Sequence, residues 1–205
     1  MTKQAEKGVF ICLEGLDGSG KTTQARILVR NLCRRGFDAV YTSEPSAGKV
    51  GKLIRSFVLD RVDRVPVALE ALLFAGDRVD HVESVVKPLM KHGKVVVCDR
   101  YVFSSLAYQG VAGLDLEWIE AVNRFALKPN LALLIDVPSD IVVKRLKREK
   151  TVMETERNQE RVRVVYLKMA QEKRLVLIEG DRPVLEVAKK ILTVVLDLLT
   201  AKHRL

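Results

Sequence analysis

The sequence predicts a three-layer α/β/α fold around a five-stranded parallel sheet with helices on both faces. Three observations predict it. Apolar runs of strand length recur at Val9–Leu13, Ala39–Tyr41, Val95–Cys98, Leu131–Ile135 and Leu175–Ile178. Each run is continuous rather than alternating, as in a strand covered on both faces, and each is separated from the next by a helical pattern. A glycine-rich segment, Gly15-Leu16-Asp17-Gly18-Ser19-Gly20-Lys21-Thr22, sits between the first run and the first helical pattern.

The first run is a buried strand, and the segment after it reads G-x-x-x-x-G-K-[ST] in strand–loop–helix context, which is a P-loop. Its glycines let successive N–H groups turn inward as an anion nest, and the helix from Thr22 to Arg34 adds its N-terminal dipole. Gly15, Leu16, Asp17, Gly18, Ser19, Gly20, Lys21, Thr22 and Thr23 are therefore expected to hold a nucleoside triphosphate. Lys21 is placed to reach the β/γ-phosphates and the Thr22 hydroxyl to ligate Mg²⁺. Further helices are predicted over Val50–Val58, Val67–Asp80, Val82–His92, Leu116–Phe125, Asp140–Lys147, Asn158–Gln171 and Val184–Leu199. Gly36, Gly93 and Gly180 suit helix stops or turns, and Pro66 and Pro183 suit helix starts. Ligands in such sheets bind beyond the carboxyl ends of the strands, which directs attention to Glu44-Pro45, Asp99-Arg100-Tyr101 and Asp136. Asp99 follows an apolar strand, as does the carboxylate that supports Mg²⁺ in P-loop NTPases; the alternative role is a helix or turn cap. Asp136, before Val137-Pro138, reads as a turn or capping residue.

Length and composition narrow the class. A chain of 205 residues without linker, repeat or low-complexity tract is expected to form one domain, 1–205. Charge interrupts every apolar stretch, so no membrane partner is expected. The polar start, Met1 to Lys7, lacks the apolar core of a signal peptide. Cys12, Cys33 and Cys98 are odd in number, and two fall in predicted strands, which suits a reduced, cytoplasmic setting. Lys and Arg number 35 against 26 Asp and Glu, a net charge of +9. There is no RNA-binding motif, aromatic interleaving or helix-turn-helix pattern, so polyanionic small substrates or a solvated charged surface, as in thermophiles, are expected rather than nucleic acid.

A P-loop alone does not name a reaction. The Asn-Lys-x-Asp segment of a guanine-specific GTPase is missing, and a transport or motor ATPase would bring more domains. Small-molecule kinases remain. Leu72-Leu73-Phe74-Ala75-Gly76-Asp77-Arg78 with His81, then Asp99-Arg100-Tyr101, then Ser104-Ser105-Leu106-Ala107-Tyr108-Gln109-Gly110, resembles the thymidylate kinase family. Glu44-Pro45, Ile54-Arg55 and Val162-Arg163 with Tyr166 extend the resemblance over nearly the whole chain, in the family's order. It implies ATP-dependent phosphorylation of dTMP to dTDP with Mg²⁺, in a homodimer. It also implies that Phe74 stacks on thymine, Arg78 bonds the base edge, and Ser105 and Gln109 help read the base. Tyr108 would lie along the sugar, Asp17 would meet the 3′-hydroxyl or acceptor-phosphate region, Arg55 and Arg100 would hold the acceptor phosphate, and Glu44 would lie near the metal and its waters. Taken singly, Phe74 reads as a core residue, Arg78 as a solvated helix residue, and Tyr108 and Gln109 as turn or surface residues.

A monophosphate acceptor has a second pKa near ~6 and is mostly a dianion at neutral pH, so it needs no general base. His81, His92 and His203 are accordingly given no catalytic role. The reaction requires two polyanions held in line while charge on the transferring group is neutralised. Lys21, Arg100, Mg²⁺ on Thr22 and Asp99, and the P-loop amides supply part of that. Gly18-Ser19 puts no cation inside the loop, and the resemblance implies that a lid over about 145–157 adds Arg145, Arg148 or both. Two alternatives stay open: a kinase of the same fold preferring dUMP or a broader range of deoxynucleotides, and a P-loop regulator or nucleic-acid-associated NTPase.

Overall fold

The computed structural model describes residues 8–59, 65–145 and 155–202. The five apolar runs form the strands β1 (Val9–Glu14), β2 (Ala39–Ser43), β3 (Val95–Asp99), β4 (Leu131–Asp136) and β5 (Val176–Glu179), all parallel in the order β2-β3-β1-β4-β5. β1 and β3 are buried along their whole lengths, as continuous apolar runs at the middle of a sheet must be. Register aligns Leu13 and Ser43 with Asp99, so the ends of β1, β2 and β3 lie level. That level edge carries the site.

Nine α-helices connect the strands among the described residues: α1 (Lys21–Cys33), α2 (Lys49–Ile54), α3 (Val67–His81), α4 (Lys87–Lys91), α5 (Val102–Val111), α6 (Leu116–Val122), α7 (Ser139–Arg145), α8 (Glu156–Gln171) and α9 (Val184–Lys202). α1 pairs with α9, whereas α5 packs with α3, α6 and α8. The main core joins β1, β3 and β4 to these helices, and a small second cluster of Ile54, Val58 and Val65 packs against Leu73 and Phe74.

Two differences from the sequence reading have physical causes. The predicted helices Val67–Asp80 and Val82–His92 are one helical run, because no proline interrupts it until Pro88 and the single glycine, Gly76, is carried inside α3. A π-helical turn over Val82–Val86 precedes that proline. The widened turn accommodates a ring that cannot donate an N–H and would crowd the preceding carbonyl. A second π-helical turn, Arg55–Leu59, ends the predicted helix Val50–Val58. The other difference is α5, whose Ser104-Ser105 and Gly110 lack the pattern of an amphipathic helix. It is nevertheless helical, with Phe103, Leu106 and Ala107 buried beside the polar Ser105 and Gln109. Gln109 is thus a buried helix residue, not a turn or surface one.

Candidate active site

The P-loop bridges β1 and α1 with Gly15, Gly18 and Gly20 at φ 141°, 83° and 92°. These are left-handed conformations that a side chain would strain, and at Gly15 a Cβ would also lie 2.5 Å from the Ile135 carbonyl oxygen. Lys21 is buried and donates from Nζ to the Leu16 carbonyl at 2.6 Å. Burial and the nearby Arg100 cation lower its pKa to about 8. The Thr22 hydroxyl donates to Asp99 Oδ2, while Asp99 Oδ1 is buried with no hydrogen-bond partner among the described residues. An orphaned carboxylate oxygen beside the P-loop threonine fits a cation-supporting role better than a cap, which would have used that oxygen.

Arg100 is the junction of the site. Its backbone is left-handed (φ 71°), a conformation that costs a non-glycine residue on the order of 1–3 kcal/mol and persists only where the surroundings over-determine it. They do. Its N–H donates to Leu13 at 3.0 Å, Nη2 reaches Asp17 Oδ1 at 2.5 Å, and Nη1 donates to Ser104 Oγ at 3.1 Å. Its guanidinium also lies 5.2 Å from the Tyr108 ring centroid. Tyr108 donates to Asp17 Oδ2 at 3.0 Å, so Asp17 ties the sugar candidate Tyr108 to Arg100 at the phosphate end. Burial would raise the Asp17 pKa, but Arg100 and Lys21 outweigh it and bring it down to about 2.

Beneath Arg100 lies a set of residues that sequence reasoning missed. Glu14, fully buried at the end of β1, accepts from the Tyr101 N–H at 2.8 Å, Ser104 Oγ at 2.7 Å and Tyr166 Oη at 3.0 Å. Burial raises the Glu14 pKa. The available signal was a carboxylate closing an otherwise apolar strand, Val9-Phe10-Ile11-Cys12-Leu13-Glu14. Asp136 is likewise more than a turn residue: it takes Nε and Nη2 of Arg163 at 2.8 and 2.9 Å. This bidentate pair joins the end of β4 to α8.

At the acceptor side, Arg55 donates to the carbonyls of Pro45 and Ser46. Ser46 is held by Asp77, through its N–H at 2.7 Å and its hydroxyl at 2.6 Å. A cleft of about 510 Å³ gathers Asp17, Gly18, Gly20, Lys21, Thr22, Thr23, Glu44, Arg55, Asp99, Arg100 and Arg145 of the sequence candidates, together with Tyr41, Ser43 and Pro45. Arg145 also lies 3.5 Å from Asp181. Arg148, and the expected lid apart from its ends, fall outside the described residues. Gly15, Leu16 and Ser19 belong to the loop but do not line the cleft.

The base-reading candidates stand apart from that cleft. Arg78 is only 1% exposed, and its guanidinium is satisfied by Glu44 Oε2 (2.9 and 2.8 Å), Ser105 Oγ (3.3 Å) and Asn123 Oδ1. Far from being a solvated helix residue, it is a buried cation. His81 completes the group, with Nδ1 3.2 Å from Glu44 and Nε2 2.7 Å from the Thr42 hydroxyl. Gln109 donates from Nε2 to Glu70 at 2.7 Å. Phe74 is half-buried against the second apolar cluster.

A family model described as thymidylate kinase matches residues 13–191. The chain belongs to the thymidylate kinase family. A probable thymidylate kinase of Pyrococcus horikoshii is 45% identical over 172 residues, covering 80% of this chain and 84% of the relative. One from Caldivirga maquilingensis is 39% identical over 193 residues, covering 92% and 94%. A thymidylate kinase of Halothermothrix orenii is 35% identical over 196 residues, covering 90% and 95%. As a member of the thymidylate kinase family, the chain is a phosphotransferase. Among the described residues no helix is long and apolar enough to cross a membrane.

Proposed function

We infer that this chain transfers the γ-phosphoryl group of ATP to dTMP, giving ADP and dTDP. The observation that carries the reading is the convergence of Lys21, Arg55 and Arg100 on one cleft beside the P-loop. Three cations around one space suit a triphosphate and a monophosphate meeting end to end, and the donor half is a P-loop. The acceptor dianion is its own nucleophile, and Arg100, locked by Leu13, Asp17 and Ser104, is the group that positions it. Lys21 neutralises charge on the transferring group. Mg²⁺ would be held by the Thr22 hydroxyl and the Asp99 carboxylate, and when bound it supplies further charge neutralisation at the phosphates. Its fit rests on the orphaned Asp99 oxygen. Arg145, at the described edge of the lid, adds a cation to the same cleft, and Arg148 is proposed to join it.

We further propose one kinase unit per chain, a cytoplasmic setting and a homodimer. α3 supports the last: Leu69, Leu72 and Val79 are exposed, Gly76 stands among them, and a Cβ at Gly76 would meet nothing within 4 Å. Light scattering should give twice the chain mass, and Leu72→Glu should halve it. The activity itself is tested by label transfer from γ-labelled ATP. Label recovered in dTDP supports the reading, and label recovered only in inorganic phosphate, with or without dTMP, contradicts it.

A further inference from the structure

Glu70 is a buried carboxylate in the first turn of α3, and the phosphoryl-transfer chemistry makes no use of it. Its carboxylate takes the Gln109 amide nitrogen at 2.7 Å. Gln109 is itself 4% exposed, and its Oε1 is buried with no hydrogen-bond partner among the described residues. Two hydrogen bonds between α3 and α5, Glu70 to Gln109 and Arg78 to Ser105, run antiparallel. Phe74 lies midway between Glu70 and Arg78 at helical spacing of four, and Ser105 and Gln109 are also four apart, so these side chains share facing stripes. The same spacing puts Gln109, with its unpartnered Oε1, on the α5 stripe that faces Phe74.

An ionised carboxylate only accepts hydrogen bonds, whereas an amide can present either end. Beside Glu70 the Gln109 amide has one favourable orientation, nitrogen inward to the carboxylate and oxygen outward. We propose that Glu70 determines which pyrimidine the acceptor site takes: it holds Gln109 so that Oε1 can accept only from a base that donates at N3. This inference rests on the proposed dTMP kinase reading. Thymine and uracil carry an N3–H and satisfy the orphaned oxygen. Cytosine presents a lone pair there and faces oxygen with nitrogen, leaving a buried acceptor unpaired. Glu70 touches no substrate; it is a positioning residue that turns a two-faced amide into a one-faced reader.

The test compares dTMP with dCMP, by turnover and by calorimetric binding, in the full chain and in Glu70→Gln. Glutamine at position 70 can accept from or donate to Gln109, so the bias on the amide is lost. The expected result is a fall of at least tenfold in the dTMP:dCMP ratio of kcat/KM and of affinity, with the KM for ATP unchanged within twofold. Gln109→Leu should lower the ratio similarly, and combining the two should add little, because both act through one oxygen. Glu70→Ala is the second variant should Glu70→Gln melt below the assay temperature. An unchanged dTMP:dCMP ratio, both acceptors lost in proportion, or effects that multiply in the double variant would overturn the proposal. Wild-type turnover with dTMP reports on the kinase reading alone, and the binding ratio reports on Glu70 without turnover, so the two fail separately.

Discussion

The phosphate end and the proposed base end of this site are built on opposite plans. At the phosphate end, Lys21, Arg55 and Arg100 line an open cleft, and the Asp99 oxygen beside them lacks a partner. At the base end, Arg78 is sealed against Glu44, Ser105 and Asn123, and Gln109 against Glu70. The first plan sets cations around an open space that a polyanion can enter, with Arg100 held in place there by Asp17. The second spends side-chain polarity on the protein itself and leaves Gln109 Oε1 without a hydrogen-bond partner among the described residues. A cation in the cleft is thus chiefly a matter of binding and rate, whereas a cation under the base is also a matter of folding.

The largest expected effect separates the two ends by stability. Arg78→Ala leaves Glu44 buried without its main partner, and removing one member of such a pair costs about 3–5 kcal/mol. Arg55→Ala, at the cleft, loses hydrogen bonds to two backbone carbonyls and should cost less, about 1–3 kcal/mol of stability, while raising the KM for dTMP. Urea denaturation of both variants checks this, and equal losses would erase the distinction. Next in size, Lys21→Ala should lower kcat by about 10²–10³, as expected for loss of one group that stabilises transition-state charge. Its melting temperature should hold or rise, because a buried ammonium is removed.

A pH titration sharpens the phosphate side. The folded pKa of Lys21 is lowered from 10.5 to about 8. Below that pH the lysine is charged and triphosphate affinity should be flat. Above it the free enzyme loses the charge, and affinity should fall by up to about tenfold per pH unit, with proton uptake on binding seen by calorimetry in buffers of different ionisation enthalpy. For stability the sign is opposite: between about 8 and 10.5 the unfolded chain binds the extra proton, so the penalty for burying Lys21 fades as pH rises. The smallest effect concerns the support beneath Arg100. Tyr166→Phe removes one of the hydrogen bonds to Glu14, worth about 0.5–1.5 kcal/mol, and should lower kcat modestly with the KM for ATP unchanged.

What was legible in the sequence follows the same division. The P-loop declares itself because its chemistry is local: glycines for positive φ, a lysine and a threonine in fixed order after an apolar run. The strands and their order of appearance were legible for the same reason, since burial on both faces leaves continuous apolar runs. α5 was not, because its buried face includes Ser105 and Gln109 and so breaks the periodicity on which helix reading depends. Arg78, read alone, looks solvated; its burial depends on Glu44, Ser105 and Asn123, which come from three other parts of the chain. Glu14 was hidden at the end of a strand, and its three donors come from Tyr101, Ser104 and Tyr166. Local covalent rules expose the phosphate end. The base end exists only once α3, α5 and β2 are brought together.

The most direct measurement is ADP release from ATP and Mg²⁺ with dTMP, dUMP, TMP in its ribo form, CMP and AMP offered separately. The account predicts strong turnover with dTMP, weaker turnover with dUMP, and little with the ribonucleotides. Turnover that is equal across all five, or none above the hydrolysis seen without an acceptor, would contradict it.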